Sequence, residues 1–300
     1  MQLKSTILLL TTAAIWGLAF VAQRVGMDFI GPFTFNGIRF ALGGLSLLPL
    51  IVYHDTDAVR QDGGSSPASS LRVGIIAGFI LFIAASLQQI GLIYTTAGKA
   101  AFITCLYIVL VPLAGIWLKQ SIARSTWTGS LLAVAGLYLL CVKESFVVSY
   151  GDLLELAGAV FWAGHILLID RFARKTNSLH LAFTQFMTCA VLSMIVAAAA
   201  EVITIAGILQ AGIALLYGGV CSVGIAYTLQ IIGQKNASPA HAAIILSMET
   251  VFAALGGWMI LGEQLTSREF AGCVLMLSGM LLAQLCSLRL RDKAGREKAA

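Results

Sequence analysis

Between Ala242 and Gly262 the chain reads AAIILSMETVFAALGGWMILG, twenty-one residues with one charge, Glu249. At about 1.5 Å per residue, a helix of that length extends roughly 31 Å, the thickness of a bilayer's hydrocarbon core. Runs of this kind recur along all 300 residues. Hydrophobic residues make up 59% of the chain and charged residues 11%, where a soluble domain carries about 25% charged residues to cover its surface. The mean hydropathy is +0.91. A chain of this kind folds as an all-α polytopic membrane protein, because a helix satisfies its own backbone in lipid. The short alternating segments of a membrane barrel are not seen.

Ten apolar segments can be marked, at about 5–23, 33–53, 72–94, 99–118, 126–142, 152–170, 179–200, 210–233, 240–261 and 267–288. The polar stretch from about 54 to 72 reads as a flexible cytoplasmic loop, and the basic tail 289–300 as a fraying end. With the N-terminus inside, the inner ends of the segments carry fourteen Lys and Arg residues and the outer ends four, Arg39 lying within a segment. The bias places both termini in the cytoplasm. The basic residues sit in short loops rather than on one face, so no nucleic-acid partner is expected. Six cysteines fall in or beside apolar runs without a CxxC pair or a His cluster, which suits small buried hydrophobes better than disulfides or a metal site. No metal or other cofactor is expected. A start such as Lys4 followed by an apolar run resembles a signal peptide, but its counterpart lies mid-chain, where no signal peptide can be.

That counterpart belongs to an internal repeat. LQQIG at 87–91 matches LQIIG at 229–233, and GKAAFI at 98–103 aligns with AHAAII at 240–245, both at an offset of 142. AAIWG at 13–17 aligns with AVFWA at 159–163, pairing Trp16 with Trp162; Gly129 pairs with Gly272 and Gly136 with Gly279. The units are 1–145 and 146–288. Five segments per unit is an odd number, so the second copy enters the membrane upside down. Inverted repeats are a transporter architecture, with the site near the midplane where the halves meet.

Several of these features together resemble the EamA-type permeases of the drug/metabolite transporter superfamily. They are the early-helix tryptophan in each half, SMETVFAALGGWMILGE ending at Glu263, and LYIVLVPLAGIWL at 106–118. The first half ends this last stretch in Lys119-Gln120-Ser121 where the family has Gly-Glu. The resemblance covers nearly the whole chain. It implies ten transmembrane helices as two inverted five-helix EamA-like repeats in a bacterial inner membrane, forming a carrier that often exports amino acids or related small metabolites. For this chain a monomer or a homodimer is expected.

Glu249 is the leading candidate for function: an acid inside an apolar run costs about 2.5–3.5 kcal/mol on insertion scales and usually faces a bundle interior or a wet cavity. It suits a substrate ammonium or a coupling proton, or alternatively a hydrogen bond between helices. Its repeat partner is Tyr107. Trp16 and Trp162, away from the interfacial belts, are suited to lining a cavity or to packing. His165 shares a helix face with Trp162 and Glu155. Gln88 and Gln230 occupy equivalent places, with Tyr227 one turn before Gln230, and each needs a partner from a helix or a substrate. Arg39 has three options: snorkelling to the outer headgroups, pairing with Glu155, or holding a substrate carboxylate. Pro112 should kink its segment and is the hinge candidate. The pairs Gly43–Gly44, Gly218–Gly219 and Gly256–Gly257 favour close helix contact.

Rival functions find little support. There is no GxxxxGK[ST] for an ATP-driven pump, no HExxH, and no Ser/His pair in protease context. Tyr150-Gly151-Asp152 faintly resembles an intramembrane aspartyl protease motif, but stands alone. The reading is therefore a secondary transporter, not an enzyme, whose partners are a small-molecule substrate, the lipid bilayer and, as a candidate coupling ion, protons.

Overall fold

The computed structural model describes residues 2–58, 67–95, 97–118, 124–141, 149–261 and 266–297, and all its regular structure is helical. The first half comprises α1 (Gln2–Gly26), α2 (Pro32–Ala58), α3 (Pro67–Tyr94), α4 (Ala97–Thr104), α5 (Tyr107–Trp117) and α6 (Arg124–Cys141). The second comprises α7 (Tyr150–Phe172), α8 (Ser178–Ala200), α9 (Ile205–Gln210), α10 (Gly212–Leu216), a π-helical stretch Tyr217–Tyr227, α11 (Thr228–Gln234), α12 (Pro239–Leu246), α13 (Glu249–Leu261) and α14 (Ser267–Glu297). Among the described residues, 7 helical spans are long and apolar enough to cross a membrane. Large apolar side chains such as Leu45, Phe79, Ile195 and Trp117 stand exposed on their outer faces, as lipid contact allows and water would not.

Local sequence sets the helix ends. Ser149 caps α7 and Asp152 returns a bond to the Ser149 amide, a reciprocal capping box. This accounts for Asp152, which also accepts from Thr95 at 2.8 Å. Asn177 caps α8, and Ser238 caps α12 with Pro239 in its first turn. The carboxylate of Glu201, beyond the end of α8, accepts from the amides of Phe33 and Thr34 at 2.8 Å each, closing the N-terminus of α2.

The ten sequence segments each correspond to helix, but two are not the continuous rods expected. The run from Ala242 is interrupted at Ser247–Met248, between α12 and α13, and the fourth segment at Cys105–Leu106, between α4 and α5. The interruptions lie at the repeat offset of 142 and share one bonding pattern. Cys105 N bonds Ala101 O, Leu106 N bonds Ile103 O and Ile108 N bonds Cys105 O; Ser247, Met248 and Thr250 repeat this onto Ala243, Ile245 and Ser247. Each interruption is thus one tight turn of i−3 bonds within a rod. The kink expected at Pro112 is not where the segment breaks. Proline leaves the carbonyl four residues earlier without its amide, and Ser130 donates to that carbonyl, Ile108 O, at 3.4 Å.

The loop expected at about 54–72 is shorter, since α2 reaches Ala58 and α3 begins at Pro67, with 59–66 outside the described residues. The tail expected to fray continues α14 to Glu297. Glu263, Lys119-Gln120-Ser121 and the surroundings of Gly256–Gly257 also lie outside what is described.

Contacts between the halves come in exchanged pairs. α1 packs on α12 and α13 as α7 packs on α4 and α5, and α2 packs on the π-helical stretch as α8 packs on α3. α2 with α8 and α6 with α14 are their own images. At atomic scale, a Cβ on Gly136 would lie 2.6 Å from Gly272 O, and one on Gly279 would lie 2.6 Å from Gly129 O. The same contact occurs twice with its partners swapped, as a two-fold relation requires. Along the bundle, Gly233 sits by Leu9 and Ser5 near the start of α1, whereas Leu92, Ala100 and Ala101 close around Phe20 near its end.

Because backbone stands in the way at both glycines, side-chain shifts cannot relieve an added methyl. Gly136→Ala and Gly279→Ala should each destabilise by about 1–3 kcal/mol and to similar extents. Thermal unfolding in detergent measures this, with Gly164→Ala, where nothing lies within 4 Å, as the control.

Candidate functional site

The two tight turns face each other. The Tyr107 hydroxyl donates to Glu249 Oε1 at 3.1 Å, and the Cys105 thiol lies 3.2 Å from the same oxygen and 3.8 Å from Ser247 O. Tyr107 and Glu249 are repeat counterparts, so this bond joins a position to its own image, which happens only beside the axis relating the halves. Both are buried, as is Cys105. Gly17 brings α1 close enough that a Cβ there would meet Glu249 O and Phe252 Cβ, so a third helix fixes the backbone of the acid.

Beside this bond lies a partly open pocket. Its wall is built largely from repeat pairs: Trp16 and Trp162, Phe20 and Ile166, Gln88 and Gln230, Thr104 and Leu246, Tyr107 and Glu249. The remaining lining, from Ala19, Gln23, Arg39, Ser222 and Tyr227, has no such partner in the wall. Tyr227 stands between the tryptophans, with ring centroids 4.6 Å from Trp16 and 6.1 Å from Trp162, nearly parallel to the latter at 21°. The indoles are fixed at their nitrogens: Trp16 Nε1 donates to Ser222 O at 3.1 Å and Trp162 Nε1 to Gln88 Oε1 at 3.0 Å. Gln88 passes the constraint on, donating to Gln23 Oε1 at 3.2 Å. The aromatic faces are thus held rigid before any ligand arrives.

Eight of the residues singled out from sequence line this wall: Trp16, Arg39, Gln88, Tyr107, Trp162, Tyr227, Gln230 and Glu249. Three do not. His165 lies behind the aromatics, edge-on to Trp162 and Tyr227, with Nε2 3.0 Å from Gln185 Oε1. Glu155 is fully buried and accepts from Thr104 at 2.9 Å, so it reaches the cavity only through that threonine. Pro112 is buried within α5. Two expectations for Arg39 fail: at 2% exposure it does not snorkel to the headgroups, and it makes no ion pair with Glu155. Sequence reasoning missed Gln23, Thr104 and Ser222, and treated Cys105 as an inert hydrophobe. Gln23 carried a usable signal, being seven residues, two helical turns, after Trp16; Cys105 carried none.

A pocket set at the junction of two equivalent halves, with aromatic faces, amides, one acid and one guanidinium, offers the contacts that a small organic solute uses. The class this defines is the multi-pass solute carrier. Comparison with known families gives the same class: the model of the EamA-like transporter family matches residues 3–142 and 149–285, and the chain belongs to that family, within the drug/metabolite transporter superfamily. It is 32% identical over 279 residues to an uncharacterized transporter of Archaeoglobus fulgidus, covering 91% of this chain and 83% of the other. It is 23% identical to the uncharacterized inner membrane transporter YedA of Escherichia coli, covering 90% and 87%. One of the solved structures that match does so with a TM-score of 0.76 at 19% identity, over 97% of this chain and 99% of the other, a likeness of fold.

The Tyr107–Glu249 bond should be measurable by a double-mutant cycle. Tyr107→Phe and Glu249→Gln, alone and together, should give a coupling of about 0.5–1.5 kcal/mol in thermal stability, the scale of buried polar pairs between membrane helices.

Proposed function

We propose that the chain is a secondary transporter of the bacterial inner membrane that exports small metabolites, such as amino acids or related compounds, by alternating access. Ten helices would cross the membrane as two inverted five-helix units, 1–145 and 146–288, with both termini and the basic tail in the cytoplasm. The observation that carries the reading is the wall of repeat pairs. If the halves are inverted images, a site made of both members of each pair presents equivalent positions to either side, with identical groups at Trp16/Trp162 and Gln88/Gln230, and rocking one half against the other re-exposes it without rebuilding it. The oppositely placed contacts of Gly233 and Ala100 along α1 support segments three and eight ending on opposite faces. Glu249 is placed to receive a cargo ammonium, or a proton when the cargo leaves.

The runner-up is an importer or exchanger of another solute, such as a nucleoside, a vitamin or a drug-like cation; the single acid among aromatic faces suits a cation equally well. A membrane enzyme or a scaffold has no use for a doubled wall.

Two measurements test the proposal. In sealed vesicles, Glu249→Gln should insert normally yet lower saturable flux and counterflow by about tenfold or more, equivalent to about 1.4 kcal/mol; flux equal to wild type would reduce the acid to packing. Engineered cysteines at 98 and 240 should be labelled from opposite sides of the membrane, and labelling from one side would end the inverted arrangement.

A further inference from the structure

Arg39 is a cation in the lining of this cavity, and the alternating-access reading does not use it. It sits on α2 at 2% exposure, and its repeat counterpart at the Trp16–Trp162 offset of 146, Gln185, is engaged with His165 outside the cavity wall. The surrounding protein holds it in place without neutralising it. Its Nε donates to Asn36 Oδ1 at 2.9 Å, and Asn36 is itself anchored through Nδ2 to Ala85 O at 3.1 Å. Its guanidinium carbon lies 5.0 Å from the Phe40 ring centroid and 5.6 Å from that of Phe35. A guanidinium has five N–H donors. Among the described residues, the four on its terminal nitrogens have no acceptor, and no acid forms an ion pair with it. An isolated buried charge costs several kcal/mol, and the fork of donors left open matches a carboxylate in two parallel bonds.

We propose that Arg39 is the seat for a carboxylate on the cargo, so that the transported compound carries an anionic end beside Arg39 and a cationic or hydrogen-bond-donating end beside Glu249. This rests on the cavity being a cargo site and narrows what it takes. A zwitterion with an apolar or planar body between Trp16, Trp162 and Tyr227 fits; a simple amine, a nucleoside or a lone cation leaves the guanidinium bare. A site built to bond a group rejects the analogue that lacks it, because its own polar atoms are then stranded.

The test measures the thermal unfolding midpoint of the purified full-length protein in detergent. The probes are the L-amino acids, their amides, their decarboxylated amines, and potassium chloride and sulfate. At least one free acid should raise the midpoint with an apparent affinity about tenfold or more above that of its amide or amine. Arg39→Gln should lose that preference, and Arg39→Lys, which keeps the charge without the fork, should retain a weakened one. The proposal is overturned if acid and amide act alike, if Arg39→Gln keeps the wild-type preference, if chloride or sulfate alone gives the same shift, or if no carboxylate shifts the wild type. Counterflow in vesicles separates this from the carrier reading: carboxylate-dependent binding without flux would remove the carrier and leave the anion seat standing.

Discussion

Everything at the centre of this protein depends on a backbone constraint. In a hydrocarbon interior, a peptide group without a partner costs several kcal/mol, so a membrane helix can be interrupted only where protein replaces the missing bond. The two interruptions meet that condition in each other's company. Each keeps its ladder through tight i−3 bonds, and the carbonyl of Ser247 additionally accepts from Thr250 Oγ1 at 2.8 Å with the Cys105 thiol at 3.8 Å. The two turns face each other, and that pairing brings Tyr107 to Glu249. Continuous helices along both segments would carry these side chains on a different register and give the acid no designated donor.

The same two-fold logic governs how the halves adhere. Between membrane helices there is no hydrophobic drive, so close backbone approach and polar bonds hold the bundle. The α6–α14 seam is closed by glycine against glycine carbonyl in both directions, and α2 packs on the π-helical stretch where a Cβ on Gly219 would fall 2.7 Å from Leu42 Cβ. That stretch also supplies Ser222 and Tyr227 to the cavity. Its wider turn leaves the Ser222 carbonyl able to accept the Trp16 indole as well.

How far the residues announced this arrangement depends on the kind of signal. Segment lengths and the 142-residue offset are written in apolar runs and repeated short matches, and the helices and the paired wall follow them. The interruptions are not written there. Neither Cys105–Leu106 nor Ser247–Met248 contains a glycine or proline, while Pro112, which does advertise a break, sits in a helix whose freed carbonyl is taken up by Ser130. A single i−3 turn costs so little backbone energy that no special residue is needed to make it. The thiol of Cys105 came beside Glu249 through distant packing, which no local pattern encodes. For Arg39 the sequence left three options open, because depth within a segment was the main guide; the folded chain buries it between Phe35, Phe40 and the cavity.

The wall divides into parts that obey the two-fold and parts that break it, and the division has a physical sense. Groups duplicated by the repeat look alike from either half, so they favour neither face and suit a movement whose end states must be near in energy. They are correspondingly poor at telling one end of a cargo from the other. Discrimination needs an asymmetric pair, and the lining provides one. Glu249 is an acid whose image is a phenol, and Arg39 is a cation whose image is an amide turned away to His165. In the proposed carrier, the symmetric shell of aromatics and amides would thus be tuned for motion while two unmatched charges, embedded in it at a cost to stability, would set the orientation of the cargo.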